Sequence, residues 1–134
     1  MTLAGSGARV PLTLVTGPTL AQRESLIAAH LARQAALAAQ ASSVRSAAIL
    51  EGLPHGTTIL LPSSNLDLHR VAPACLCCTG NLILRVTLNR ILRSRPDQLF
   101  IGVANLDHLD QLRSWLQHPP YDQLLELTPD LFCT

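Results

Sequence analysis

The sequence predicts an α/β domain in which a mostly parallel sheet is flanked by helices. Short apolar runs that end in glycine or proline turns alternate with stretches whose apolar residues recur at helical spacing. The chain has 134 residues, with 48% hydrophobic and only 14% charged residues, which is a composition typical of a folded domain. We therefore expect one α/β domain over residues 1–134, with residues 1–9 frayed and disordered.

The N-terminal part of the chain predicts a strand, a turn and a long helix. The apolar run 10–16 ends in Gly17, as a buried strand does when it leaves a sheet. Thr19 is suited to cap the helix that follows, which begins with the apolar residue Leu20. The alanine-rich continuation predicts that this helix extends to about Ala41.

The remaining elements follow in alternation. Further strands are predicted at 47–50, 57–61, 66–74 and 98–103, with one more short strand within 124–134. Helices are predicted at 79–93 and 106–117, where Pro96 and Pro119-Pro120 provide stop signals. Strands that alternate with helices favour a parallel sheet.

The strand, glycine turn and helix at the N-terminus are the context of a phosphate-binding loop, whose pattern is G-x-x-x-x-G-K-[ST]. Aligned from Gly17, the last three positions of this pattern are Gln22, Arg23 and Glu24. Gln22 places a side chain where the backbone of a phosphate-binding loop wraps closely around the phosphate, which favours glycine. Arg23 has a rigid, planar guanidinium in place of the compact lysine ammonium. Glu24 places an anion where a hydroxyl should hold Mg²⁺. The ten basic residues are all arginine, so no other register supplies the lysine. We therefore expect that the protein does not use GTP and Mg²⁺ as cofactors and does not hydrolyse GTP.

Three of the four cysteines lie within four residues, as Cys75, Cys77 and Cys78, and Cys133 lies far away in the sequence. In a reducing compartment a tight cysteine cluster indicates metal or redox chemistry more often than a structural disulfide. Three interpretations are open: a metal site, small core residues without a function, and a redox pair of neighbouring thiols.

A metal site requires the three thiols to converge. Cys75 and Cys77 share one face of an extended chain, and Cys78 joins them if a helix begins at that point. A helix N-terminus also favours the thiolate, which is a soft ligand for Zn²⁺ or Cu⁺, with Co²⁺ as a further candidate. Three thiolates leave one position of a tetrahedral zinc site for water, a client protein's ligand, His69 or His108.

Two motifs together resemble a known family. The segment Cys75-Leu76-Cys77-Cys78-Thr79-Gly80 is followed by an apolar helix and then by Arg95-Pro96-Asp97-Gln98-Leu99-Phe100-Ile101. This combination resembles the CobW-type metal-chaperone GTPases, and the likeness spans most of residues 10–118. The resemblance implies a P-loop NTPase-like fold and a metal-binding role for the three cysteines.

The chain also departs from the pattern of that family. Gly102 stands where the family has an acidic residue, Asn105 stands where it has a glycine, and Ala74 precedes the first cysteine instead of glycine. The chain ends before the guanine-specificity motif N-K-x-D. The resemblance therefore implies a truncated G domain with degenerate nucleotide motifs.

These observations predict a cytoplasmic, zinc-type metal-binding protein that does not hydrolyse GTP. Its expected partners are the metal ion and a client metalloprotein, or a homo- or hetero-oligomer. The alternatives are a non-catalytic interaction module that pairs with an intact relative, and a residual GTP-binding protein. A net charge of +1 and the lack of a long apolar run argue against nucleic acid and membrane as partners.

Overall fold

A computed structural model describes residues 9–37, 44–52, 59–71, 82–104 and 109–132. Its strands are β1 (Val10–Thr16), β2 (Ser46–Glu51), β3 (Leu66–Val71), β4 (Gln98–Val103), β5 (Leu125–Leu127) and β6 (Leu131–Phe132). Its helices are α1 (Leu20–Leu37), α2 (Leu82–Arg93) and α3 (Leu109–Leu116), and a 3₁₀ turn covers Tyr121–Gln123.

The strands form one sheet in the order β3-β2-β4-β1-β5, and β6 pairs with the end of β1. Every pairing between these strands is parallel, and β4 lies between β1 and β2. Strands β2 and β4 are buried along their whole length, which fits their continuous apolar sequences. The predicted α/β class with a mostly parallel sheet is therefore confirmed.

Helices cover both faces of the sheet. On one face, α1 packs through Ile27 against a cluster that includes Phe100 of β4. On the other face, α2 and α3 contribute Leu88 and Leu112 to the larger cluster. Because β-strand side chains alternate between faces, each strand supplies residues to both clusters. Among the described residues, no helix is long and apolar enough to cross a membrane.

The predicted elements agree with the structure except in two places. The predicted strand at 57–61 is wrong in its described part, because residues 59–61 form no strand. The last segment holds two short strands, β5 and β6, where one was expected. The expected frayed segment lies outside the described residues except for Arg9. The predicted end of the first helix, the predicted starts of the second and third helices, and residues 72–74 of the strand predicted at 66–74 also lie outside them.

Candidate functional site

The four longest strands of the parallel sheet end at the same edge. Thr16, Glu51, Val71 and Val103 are the last residues of β1, β2, β3 and β4. Ligands of open α/β sheets bind outside this carboxyl edge, so a binding site is expected there. The segment that carries Cys75, Cys77 and Cys78 follows Val71 directly. These three cysteines lie outside the described residues, as do Cys133 and His108.

The turn between β1 and α1 is closed by a capping box. The Thr19 hydroxyl accepts a hydrogen bond of 3.1 Å from the Gln22 amide. The Gln22 side-chain oxygen in turn accepts one of 3.1 Å from the Thr19 amide. This reciprocal pair satisfies two donors at the start of a helix. Gln22, at the second glycine position of the phosphate-loop pattern, therefore caps the start of the helix with its side chain.

Arg23 folds back over the same turn. Its Nη1 donates to the Gly17 carbonyl at 2.8 Å, and its Nη2 donates to the Glu51 carbonyl at 3.2 Å. The residue is only 4% exposed. Burial lowers the pKa of Arg23, although Glu51 and Glu24 oppose that shift. Both terminal nitrogens of Arg23 are thus engaged by carbonyl oxygens of the strand ends.

Glu24 is the centre of a buried ionic cluster that joins α1 to β3. Its carboxylate accepts hydrogen bonds of 3.0 and 3.1 Å from the two terminal nitrogens of Arg70. It also accepts from the amides of Leu60 at 2.9 Å and Ile59 at 3.3 Å. Burial alone would raise the pKa of Glu24, but Arg70 and the two amides outweigh it and lower the pKa. Glu24 is therefore held as a carboxylate, and its oxygens are occupied by protein donors.

The end of β2 is tied to both of its neighbours. Glu51 is 1% exposed, and its Oε1 accepts a hydrogen bond of 2.8 Å from the Ala104 amide, just after β4. The next residue, Gly52, has φ +118°, a conformation that favours glycine, and its amide donates to the Val71 carbonyl at 2.8 Å. These bonds fix the position of Val71, from which the cysteine segment departs.

Gly102 has a packing reason to be glycine. A Cβ added at this position would lie 2.8 Å from Leu50 Cδ2, which is too close for carbon atoms that are not bonded. Leu50 is fully buried on the neighbouring strand. The space that an acidic side chain would need at the end of β4 is therefore filled by core packing.

His69 is the one described residue among the candidates for a fourth metal ligand. Its Nε2 lies 3.0 Å from Asp67 Oδ1, without the geometry of a hydrogen bond, and its side chain is 21% exposed. Alternation along β3 places His69 on the same face as Val71, which packs in the cluster with α2. Within the parts of the chain that the structure describes, no three His, Cys, Asp or Glu side chains are grouped to hold a metal.

Sequence reasoning missed two members of this site. Glu51 directly follows the apolar run 47–50, and an acidic residue at the end of a buried strand was a usable signal. Arg70 had no such signal, because its partner Glu24 lies 46 residues away along the chain.

Comparisons with protein families, with curated proteins and with solved structures find no match to this chain. The CobW-type resemblance therefore stays a prediction from two motifs.

Proposed function

We propose that this chain is a metal-binding protein whose ligands are Cys75, Cys77 and Cys78, and that it acts without GTP hydrolysis. The observation that carries the proposal is the concentration of three thiols within four residues, directly after β3. Parallel α/β sheets bind their ligands outside this edge. Soft thiolates favour Zn²⁺ or Cu⁺ over the harder divalent ions.

Three protein thiolates would leave a zinc ion one ligand short of a tetrahedron. An open position suits the transfer of a metal ion to a client metalloprotein, whose own ligand would complete the coordination. His69 is a candidate for this fourth position, since it lies on the strand that leads to the thiols.

Independence from GTP is supported by the β1–α1 turn. Both terminal nitrogens of Arg23 donate hydrogen bonds to backbone carbonyl oxygens. Arg23 therefore does not replace the flexible lysine that binds phosphate in a phosphate-binding loop. The Glu24 carboxylate is engaged by Arg70 and two amides, where a magnesium-binding loop has a hydroxyl. A triphosphate bound at this turn would either break the buried Glu24–Arg70 ion pair or be repelled by the negative charge of the Glu24 carboxylate.

The proposal is tested by titrating reduced protein with zinc against a competing chelator. We expect one zinc per chain, with a Kd on the order of 10⁻⁸ M or tighter, because zinc–thiolate sites contribute about 10 kcal/mol or more. The variant in which Cys75, Cys77 and Cys78 are all serine should lose this binding. Adding GTP and Mg²⁺ should leave the zinc affinity unchanged.

Cys133→Ser is the matched control, since it removes the remaining thiol and leaves the cluster intact. It should bind zinc like the unmodified chain. Equal and negligible affinity in the unmodified chain and the triple variant would contradict the metal site. A large loss in Cys133→Ser would contradict the assignment of its ligands.

A further inference from the structure

An open cavity of about 540 Å³ lies along the outer side of α3. Its volume falls within the range of small-molecule sites, which is roughly 300–1,000 Å³. Leu112 and Leu116 of α3 are buried against the sheet. The residues that line the cavity lie at spacings of three and four and so share the other side of the helix. They are Asp110, Gln111, Ser114, Trp115 and His118. We call this space the α3 cavity.

The aromatic wall of the α3 cavity is Trp115, the one tryptophan of the chain. Its ring lies 4.8 Å from that of Tyr121, and it packs against the larger hydrophobic cluster. Tyr121 is only 3% exposed, so the indole is supported from the inside of the protein. The face of an indole attracts cations more strongly than the ring of phenylalanine or tyrosine does.

The charge on the wall of the α3 cavity is negative. Asp110 is exposed, and its carboxylate makes no ion pair with any residue that the structure describes. No arginine is found among the described lining residues. Arg113, which lies on the same helix, donates hydrogen bonds of 2.7 and 3.1 Å to Asp130, so its charge is compensated there. The Asp110 carboxylate is therefore left to attract a cation from outside the chain.

The far end of the α3 cavity offers further acceptors. The Nδ1 of His118 donates a hydrogen bond of 2.6 Å to the Ser114 carbonyl. Because a carbonyl oxygen only accepts, Nδ1 carries the hydrogen, and Nε2 of the neutral ring is an acceptor. The Asp122 amide donates to the His118 carbonyl, and the buried Oδ1 of Asp122 has no hydrogen-bond partner in the described part of the chain. This end also lies beside the C-terminus of α3, where the helix dipole favours cations.

We propose that the α3 cavity binds an organic cation in which an ammonium group is joined to an apolar body. The Trp115 ring and the Asp110 carboxylate attract the ammonium group, and the apolar body covers the remaining wall. An anion is disfavoured because it finds the Asp110 charge and no arginine to compensate it. The inference goes beyond metal binding and does not depend on the cysteines.

The fluorescence of Trp115 tests the proposal directly, because no other tryptophan contributes to the signal. Three probes share one apolar body and differ in charge: hexyltrimethylammonium, hexanol and hexanoate. We expect a Kd for the cation that is about tenfold lower than that for hexanol, from the indole and carboxylate contacts together. Hexanoate should bind more weakly than hexanol. Raising the salt concentration to about 0.5 M should reduce the difference between the cation and hexanol.

Asp110→Asn tests the carboxylate. It should raise the Kd of hexyltrimethylammonium about threefold and leave that of hexanol unchanged. Glu126→Gln is the matched control, because it also removes one exposed carboxylate. Leu125 and Leu127 on either side of it pack in the cluster with α3, so Glu126 lies on the opposite face of the sheet. This control should leave the Kd of both probes unchanged.

Trp115→Leu tests the indole, with binding followed by calorimetry because the fluorescence is lost. The cation should then lose most of its advantage over hexanol. Circular dichroism establishes that each variant is folded, and Asp110→Asn tests the cavity if Trp115→Leu is not. Equal Kd values for the three probes, or a Trp115 fluorescence that the cation does not change in a saturable way, would overturn the proposal. Equal effects of Asp110→Asn and Glu126→Gln would overturn it as well.

Discussion

Replacing Arg70 with methionine keeps an apolar stem but removes the guanidinium that holds the Glu24 carboxylate by two hydrogen bonds. The Glu24 side chain is 3% exposed, so water cannot readily replace the lost donor. Removal of one partner of a buried ion pair costs about 3–5 kcal/mol of unfolding free energy. Because the Arg70 side chain is 18% exposed and two amides still donate to Glu24, we expect the lower end, about 3 kcal/mol.

Urea denaturation of the unmodified chain and Arg70→Met measures this loss. Arg113→Met is a matched control, since Arg113 also forms a two-nitrogen pair, with Asp130, but both side chains are more exposed, at 32% and 23%. We expect that control to cost only about 1 kcal/mol. Glu24→Gln should make Arg70→Met less costly, because it removes the buried charge that Arg70 compensates. Losses that are equal at the two pairs, or that add fully in the double variant, would refute the reasoning.

Three further predictions follow from single residues. Gly102→Ala should lower the unfolding free energy by about 1–3 kcal/mol, measured by urea denaturation, because the new Cβ meets the fully buried Leu50. The lowered pKa of Glu24 means that its stabilising contribution is complete above its ordinary value of 4.5 and is lost as pH falls through its folded pKa. When the unfolding free energy is plotted against pH, the curves of the unmodified chain and Glu24→Gln should therefore run parallel at neutral pH and converge in acid. Curves that stay parallel over the whole pH range would contradict this. Burial, together with Arg33, lowers the pKa of His30, so its NMR titration midpoint should lie below 6.5, and a midpoint above that value would contradict the packing.

The parallel sheet was predictable because its strands carry strong local signals. β2 and β4 are continuous apolar runs that end at turns, and Thr19 directly precedes the helix that it caps. The strand predicted at 57–61 is wrong in its described part, residues 59–61, because of a residue far away in the chain. The amides of Ile59 and Leu60 donate to the Glu24 carboxylate, so they are not available to a neighbouring strand.

The candidate site was predictable only in part. The sequence showed that Arg23 and Glu24 depart from a phosphate-binding pattern, because that pattern depends on spacing within one segment. It did not show that both side chains are buried in contacts with the ends of other strands. Those contacts depend on Glu51 and Arg70, which parallel pairing of β2 and β3 brings to the same edge of the sheet. Pairing over such distances cannot be inferred from local patterns.

The central claim is that the three clustered cysteines hold a metal ion. Elemental analysis of the protein purified under reducing conditions without added metal tests this most directly, because zinc, copper and cobalt are measured together. We predict about one equivalent of one soft metal per chain, most of it lost in the variant with serine at Cys75, Cys77 and Cys78. An unmodified chain without metal, or a triple variant that retains the same amount, would contradict the account.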